Sequence, residues 1–140
     1  MDWFECNEKR IVKKVEVDHE LIASLKRSSG KKIKSAEMLT INEITSGSVI
    51  SLAYDSLREL LEALAIKNNF KIYNHECYTA FLKEYLKEIK LGDEFDSIRK
   101  LRNSINYYAA EISTDEAKTI LSGIKDLINN CKNLFPLPER

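Results

Sequence analysis

Between Phe95 and Ser113, the stretch FDSIRKLRNSINYYAAEIS concentrates the side chains best suited to bind an anion. Arg99 and Asn103 stand four residues apart, as do Arg102 and Asn106, so on a helix each pair projects from neighbouring lines of one face. Tyr107 lies four residues beyond Asn103 and extends that patch. Two guanidiniums supply planar, permanently charged donors, two amides supply adaptable hydrogen bonds, and a phenol supplies a ring for stacking. Such a set suits phosphate or single-stranded RNA recognition. A second reading is a solvated helix face whose arginines pair with Asp93, Asp96 or acids on another helix. Asn is a mediocre helix former, so two of them in mid-helix weigh towards a role beyond solubility.

The other common chemistries lack their residues. The four glycines stand alone, so no phosphate-cradling loop of the usual patterns is present. His19 and His75 are far apart, with no Cys or second His at ligand spacing, so no metal site and no cofactor are expected. Each histidine follows a helix-capping residue and reads as a solvated helix-start side chain. No serine sits in a nucleophile-elbow setting.

The elements that must carry this patch are helical. Asp18 caps a first helix on which Ile22, Leu25, Ser29, Ile33, Ala36 and Leu39 recur, with Ser28-Ser29-Gly30 as a kink or close-packing point. Thr45 to Ser48 precede a second helix with a wide apolar stripe from Ile50 to Leu64, ending near Asn68-Asn69, with Arg58, Glu59 and Glu62 on its opposite side. Asn74 caps a third helix carrying Tyr78, Phe81, Leu82, Tyr85 and Ile89, stopped by Gly92. Asp93 or a neighbour opens a fourth, with Phe95, Ile98, Leu101, Ile105 and Tyr108 on its buried stripe. Ser113 and Glu116 form a capping box for a fifth, terminated by Pro136. Residues 11–17 fit either a strand or a helical turn. The expected architecture is all-α, an up-and-down bundle of four to five helices in one domain spanning 1–140, with its core at about 18–135 and a tail at 136–140.

Composition sets outer limits. The 140 residues are 44% apolar and 31% charged, with 22 basic and 22 acidic side chains, so no whole-molecule field draws the chain to nucleic acid or an anionic membrane. Its apolar runs are too short to span a bilayer, which needs roughly 20 residues. Three widely spaced cysteines, Cys6, Cys77 and Cys131, and an acidic start without an apolar stretch suggest reduced thiols and a cytoplasmic location. Cys131 and Cys77 read as small core residues. Trp3 and Phe4 either staple the first segment to the bundle or cross to a second subunit.

RNSINYY in a late helix resembles the signature of the HEPN domain family, an Arg followed by a polar residue and, four to six residues on, a His. YDSLRELLEALAIKNNFKIYNHECYTAFLKEYL is similar to the helical hairpin that precedes that signature in small prokaryotic members, and the resemblance covers about residues 46–134. It implies a helical bundle that forms a homodimer, with signature helices facing each other across a cleft. It also implies RNA as substrate, a metal-independent endoribonuclease activity, often in a toxin, and a minimal nucleotidyltransferase antitoxin as partner. By position, Arg102 becomes the phosphate-binding Arg, Asn103 the polar neighbour, and Tyr107 stands where the His would fall, with Arg99, Asn106 and Tyr108 around the substrate. The modified Tyr of some members falls on Ala109, and Tyr108 also continues the apolar stripe.

The missing His bears on catalysis. A phenol with a reference pKa near ~10 is ionised in about one molecule per thousand at neutral pH, and lowering it to 7 takes about 4 kcal/mol. RNA binding at a degenerate site is therefore the expected function. One alternative is an active ribonuclease that uses Tyr107, or His19 or His75 supplied across a dimer. The other is a non-catalytic module binding a nucleotide or protein and partnering a nucleotidyltransferase. The tyrosines exceed what a small core needs, which adds to the expectation of a dimer.

Overall fold

A computed structural model describes residues 1–108 and 111–136, the side chains of residues 107 and 108 excepted. Its centre is helix α3 (Ser46–Lys67), whose apolar residues run almost all the way round and which is covered on most sides. Helix α2 (His19–Met38) lies antiparallel against it, so that Ile22 meets Ala63 and Ile66 while Ser29 meets Ser56 halfway along. The two serines are buried and exchange hydrogen bonds with each other's backbone, Ser29 Oγ to Ser56 O and Ser56 Oγ to Ser29 O, both at 2.7 Å. Helix α6 (Thr114–Lys132) packs on α3 through Ala117, Ile124, Leu127, Ile128 and Cys131.

The expected caps are in place. Asp18 accepts from Leu21 N, Asn74 from Glu76 N and Ser113 from Glu116 N, which satisfies donors that the first helical turns leave unpaired. Helix α2 runs through Gly30 without interruption, and α3 ends at Asn68 as the sequence predicts.

The fold is mainly helical, with additions that the periodicity does not reveal. Helix α1 (Trp3–Glu8), capped by Asp2, is followed by strand β1 (Val12–Lys14). That strand pairs antiparallel with β2 (Phe70–Ile72) in the register Val12–Ile72, Lys13–Lys71 and Lys14–Phe70, so the ambiguous 11–17 segment is in part a strand. Two strands of three residues are too short for alternation to stand out in sequence. Trp3 packs on Phe70, Phe81 and Tyr85 and staples the N-terminal segment to the bundle, while Phe4 remains exposed.

The expected third helix also needs correction. Helix α4 (His75–Ala80) passes into a π-helical turn (Phe81–Tyr85), and the chain then breaks at Lys87, which has a left-handed φ of 61°. Helix α5 (Ile89–Tyr108) therefore begins before Gly92. Gly92 is a packing residue instead of a stop. A Cβ there would sit 2.3 Å from Lys83 Cγ and 3.3 Å from the Thr79 carbonyl.

Two further expectations change. Cys6 and Cys77 form a disulfide with Cα atoms 6.0 Å apart, tying α1 to α4 across 71 residues of sequence, so only Cys131 is a free, buried thiol. Glu59, expected on the open side of α3, is 6% exposed because α2 covers that side, and it pairs with Lys32. Among the described residues, no helix is long and apolar enough to cross a membrane.

Candidate anion-binding site

Helix α5 places Arg99 and Arg102 along the seam where it meets α3 and α4, and neither points into bulk water. Their side chains are 15% and 18% exposed. Arg99 donates from Nε at 3.1 Å and Nη2 at 2.8 Å to Asp96 Oδ1. The same oxygen accepts from Thr79 Oγ1 of α4 at 3.1 Å, and Lys100 lies 3.1 Å from Oδ2. Partial burial raises the Asp96 pKa, but the hydrogen bonds from Arg99, Lys100 and Thr79 outweigh it and hold the carboxyl below its usual range. The expected Arg99–Asp96 pairing is thus present.

Arg102 is held differently. Its guanidinium lies over the Tyr54 ring of α3, 5.1 Å from the centroid, and its Nη2 is 3.8 Å from Asp55 Oδ1. With the Asn106 amide oxygen turned towards it, Arg102 donates from Nε at 2.9 Å and Nη2 at 3.2 Å. The four-residue spacing of Arg102 and Asn106 is therefore realised as a contact. The other end of that amide lies 3.3 Å from Ser51 Oγ of α3. Asn103 is half-buried on the same helix. The Tyr107 and Tyr108 side chains and Ala109 lie outside the described residues, as does the tail beyond residue 136.

The stripe that seats α5 is uneven. Leu91 and Phe95 are buried, whereas Ile98, Leu101 and Ile105, on the same face as the sequence expects, are only half-buried. The N-terminal half of the helix belongs to the core, and the half carrying Arg102 rides on its edge. Tyr54 and Tyr78, expected among a surplus of interface tyrosines, are buried in this chain's own core.

One residue of this site departs from its sequence reading. His75 is half-buried instead of solvated, and its Nδ1 is 2.9 Å from Tyr54 Oη, on the same phenol that carries Arg102. Burial, then the positive field of Arg58 and Arg102, lowers the imidazole pKa to about 4, with Asp55 opposing and Arg99 adding to the effect. Burial likewise lifts Tyr54 to about 12, so its hydroxyl stays protonated at neutral pH. A helix-start histidine carries no sequence signal for burial. The spacing of Asn74, His75 and Tyr78 shows the cap and the stripe, but not that α4 turns His75 towards Tyr54. His19, by contrast, is exposed as expected.

Three arginines, Arg58, Arg99 and Arg102, thus surround a neutral histidine and a phenol, each guanidinium with a carboxylate at hand: Glu62, Asp96 and Asp55. Such a cluster can exchange internal carboxylates for an external anion. Among the described residues, no group of three His, Cys, Asp or Glu is placed to hold a metal ion. No protein-family model, no curated protein and no solved structure matches the chain.

Proposed function

We propose that this chain is a HEPN-type RNA-binding protein with a degenerate ribonuclease site, gripping phosphate with Arg102 and Arg99. The observation that carries this reading is the placement of Arg102: partly buried, over the ring of Tyr54, oriented by Asn106 and linked through Tyr54 to His75. A guanidinium held in one orientation loses less freedom when it engages a phosphate than one waving on a surface. Its 3.8 Å contact to Asp55 is long for a charge-assisted hydrogen bond, so a phosphate displaces little there. Ile98 and Ile105 pack on this chain's own core yet, like Leu101, stay half-buried, and the apolar edge they leave is what a second copy of α5 would cover in the proposed homodimer. Loss of the signature His to Tyr107 favours binding over turnover.

Neutral net charge and the internal carboxylate on each guanidinium favour a second reading, a non-catalytic module that binds a nucleotide or a minimal nucleotidyltransferase partner. Titration of labelled single-stranded RNA at low salt separates the two. Binding that is lost in the Arg99→Ala, Arg102→Ala double variant supports the first. No binding by a folded dimer, together with capture of a purified nucleotidyltransferase, supports the second. A strictly monomeric protein in sedimentation removes the shared groove that the RNA reading requires.

A further inference from the structure

Tyr54 touches two groups from different helices: its hydroxyl meets His75 Nδ1 at 2.9 Å and its ring lies beneath Arg102 at 5.1 Å. We propose that His75 is a further ligand of the phosphate site on α5, and that a phosphate bound by Arg99 and Arg102 draws a proton onto its ring, adding a cation to the site. This deepens the phosphate-binding reading and rests on it.

The groups around His75 make it responsive to an anion. Helix α3 contributes Arg58, Asp55 and Tyr54, and α5 contributes Arg99 and Arg102. Its own helix adds Tyr78, with ring centroids 6.2 Å apart, and Glu76, which binds the amino group of Met1. Partial burial and three guanidiniums, two of them paired with Glu62 and Asp96, keep the ring neutral, with its pKa at about 4, against the opposing carboxylate of Asp55. A phosphate seated on the arginines adds one or two negative charges to that field and offsets part or all of its net positive charge. A phosphomonoester does this more strongly than a diester only above its second pKa of about 6, where it reaches −2 instead of −1.

Tyr54 lets the change occur without moving heavy atoms. Against a neutral ring that carries its hydrogen on Nε2, the phenol donates to Nδ1. Once the ring is protonated, Nδ1–H donates to the phenol oxygen. The proton comes from solvent, at most one per phosphate bound and only at pH values around and between the free and bound midpoints, and no covalent bond forms or breaks.

The test follows the His75 ring proton by NMR across pH 4–8, with exposed His19 as internal reference, using inorganic phosphate and a short single-stranded RNA with and without a 5′-phosphate as probes. Saturating probe is expected to raise the His75 midpoint by about one pH unit or more and to leave His19 in place. For the RNA without a 5′-phosphate, whose diesters stay at −1 across this range, affinity should be flat above the bound-state midpoint, rise up to tenfold per unit as pH falls below it, and level off near the free-state value. The His75→Gln variant should lose that pH dependence. A His75 midpoint unmoved by bound probe, or a full pH dependence in His75→Gln, overturns the inference. If RNA binds and His75 does not respond, the RNA reading stands and this inference falls. If only inorganic phosphate binds and shifts His75, the inference stands for free phosphate and the RNA reading falls. A response confined to the 5′-phosphorylated RNA assigns the site to chain ends.

Discussion

Arg102 of α5 and Tyr54 of α3 form a cation–ring stack at 5.1 Å, with a phenol that is fully buried and a guanidinium that is not. The ring beneath it and the Asn106 amide together hold the cation in place, and that separates charge from geometry in a mutational test. Arg102→Ala is expected to weaken RNA binding about tenfold and to reduce the salt slope by about one. Arg102→Lys keeps the charge, so the salt slope is retained while affinity still falls several-fold, because an ammonium cannot reproduce the planar, two-pronged contact. Equal behaviour of the two variants in a salt series argues that only net charge matters at this position.

A second expectation concerns acid stability. The folded-state pKa of His75 is about 4 against an ordinary 6.5, so above pH 6.5 the ring is neutral both folded and unfolded and contributes no pH dependence. As pH falls from 6.5 to 4, the unfolded chain takes up this proton first and stability is lost. After discounting for partial exposure, the loss is about 1–2 kcal/mol. Urea denaturation of wild type and His75→Gln at pH 7 and pH 4.5 measures it. The variant should lose less stability between the two.

These two residues mark the limits of what sequence conveys here. The Arg102–Asn106 contact was readable because both lie on one helix, where spacing determines neighbours. The Asp18, Asn74 and Ser113 caps were readable for the same local reason. Arg102 over Tyr54, Tyr54 to His75 and Cys6 to Cys77 join residues 48, 21 and 71 positions apart, and local periodicity says nothing about such pairs. The burial of Glu59 escapes a helical wheel, which places it opposite the main apolar stripe, whereas α3 is covered on that side as well. The role of Gly92 escapes it too, because a glycine signals a helix end and a close approach equally well.

Glycines on the two long outer helices should therefore respond in opposite directions. Gly30 has open space where a Cβ would go, so Gly30→Ala in α2 is expected to stabilise by about 0.5–1 kcal/mol. Gly92→Ala drives a methyl into Lys83 and against the Thr79 carbonyl, disturbs the Lys83–Asp93 pair, and is expected to destabilise by about 1–2 kcal/mol. Thermal melts of the two variants check the signs. A stabilised Gly92→Ala would mean that Lys83 swings aside without cost.

The Cys6–Cys77 bond predicts a thiol count. Unfolded without reductant, each chain should react with one equivalent of a thiol reagent, from Cys131, and with three after reduction. Removing a link that spans 71 residues, as in the Cys6→Ala, Cys77→Ala double variant, should cost about 2–4 kcal/mol in denaturant titrations. Three equivalents from the unreduced protein would restore the expectation of free thiols.

Because α3 is enclosed by α2 on one side, α6 on another and the α4–α5 pair on a third, its middle turns have no route to water short of the whole assembly coming apart. Amide deuteration at Leu57, Leu60, Leu61 and Leu64 should be the slowest in the chain, and its rate reports the free energy of global opening. The edge half of α5, with the arginines, should exchange sooner. The protein would then keep a rigid axle while the surface assigned to ligand binding breathes around it.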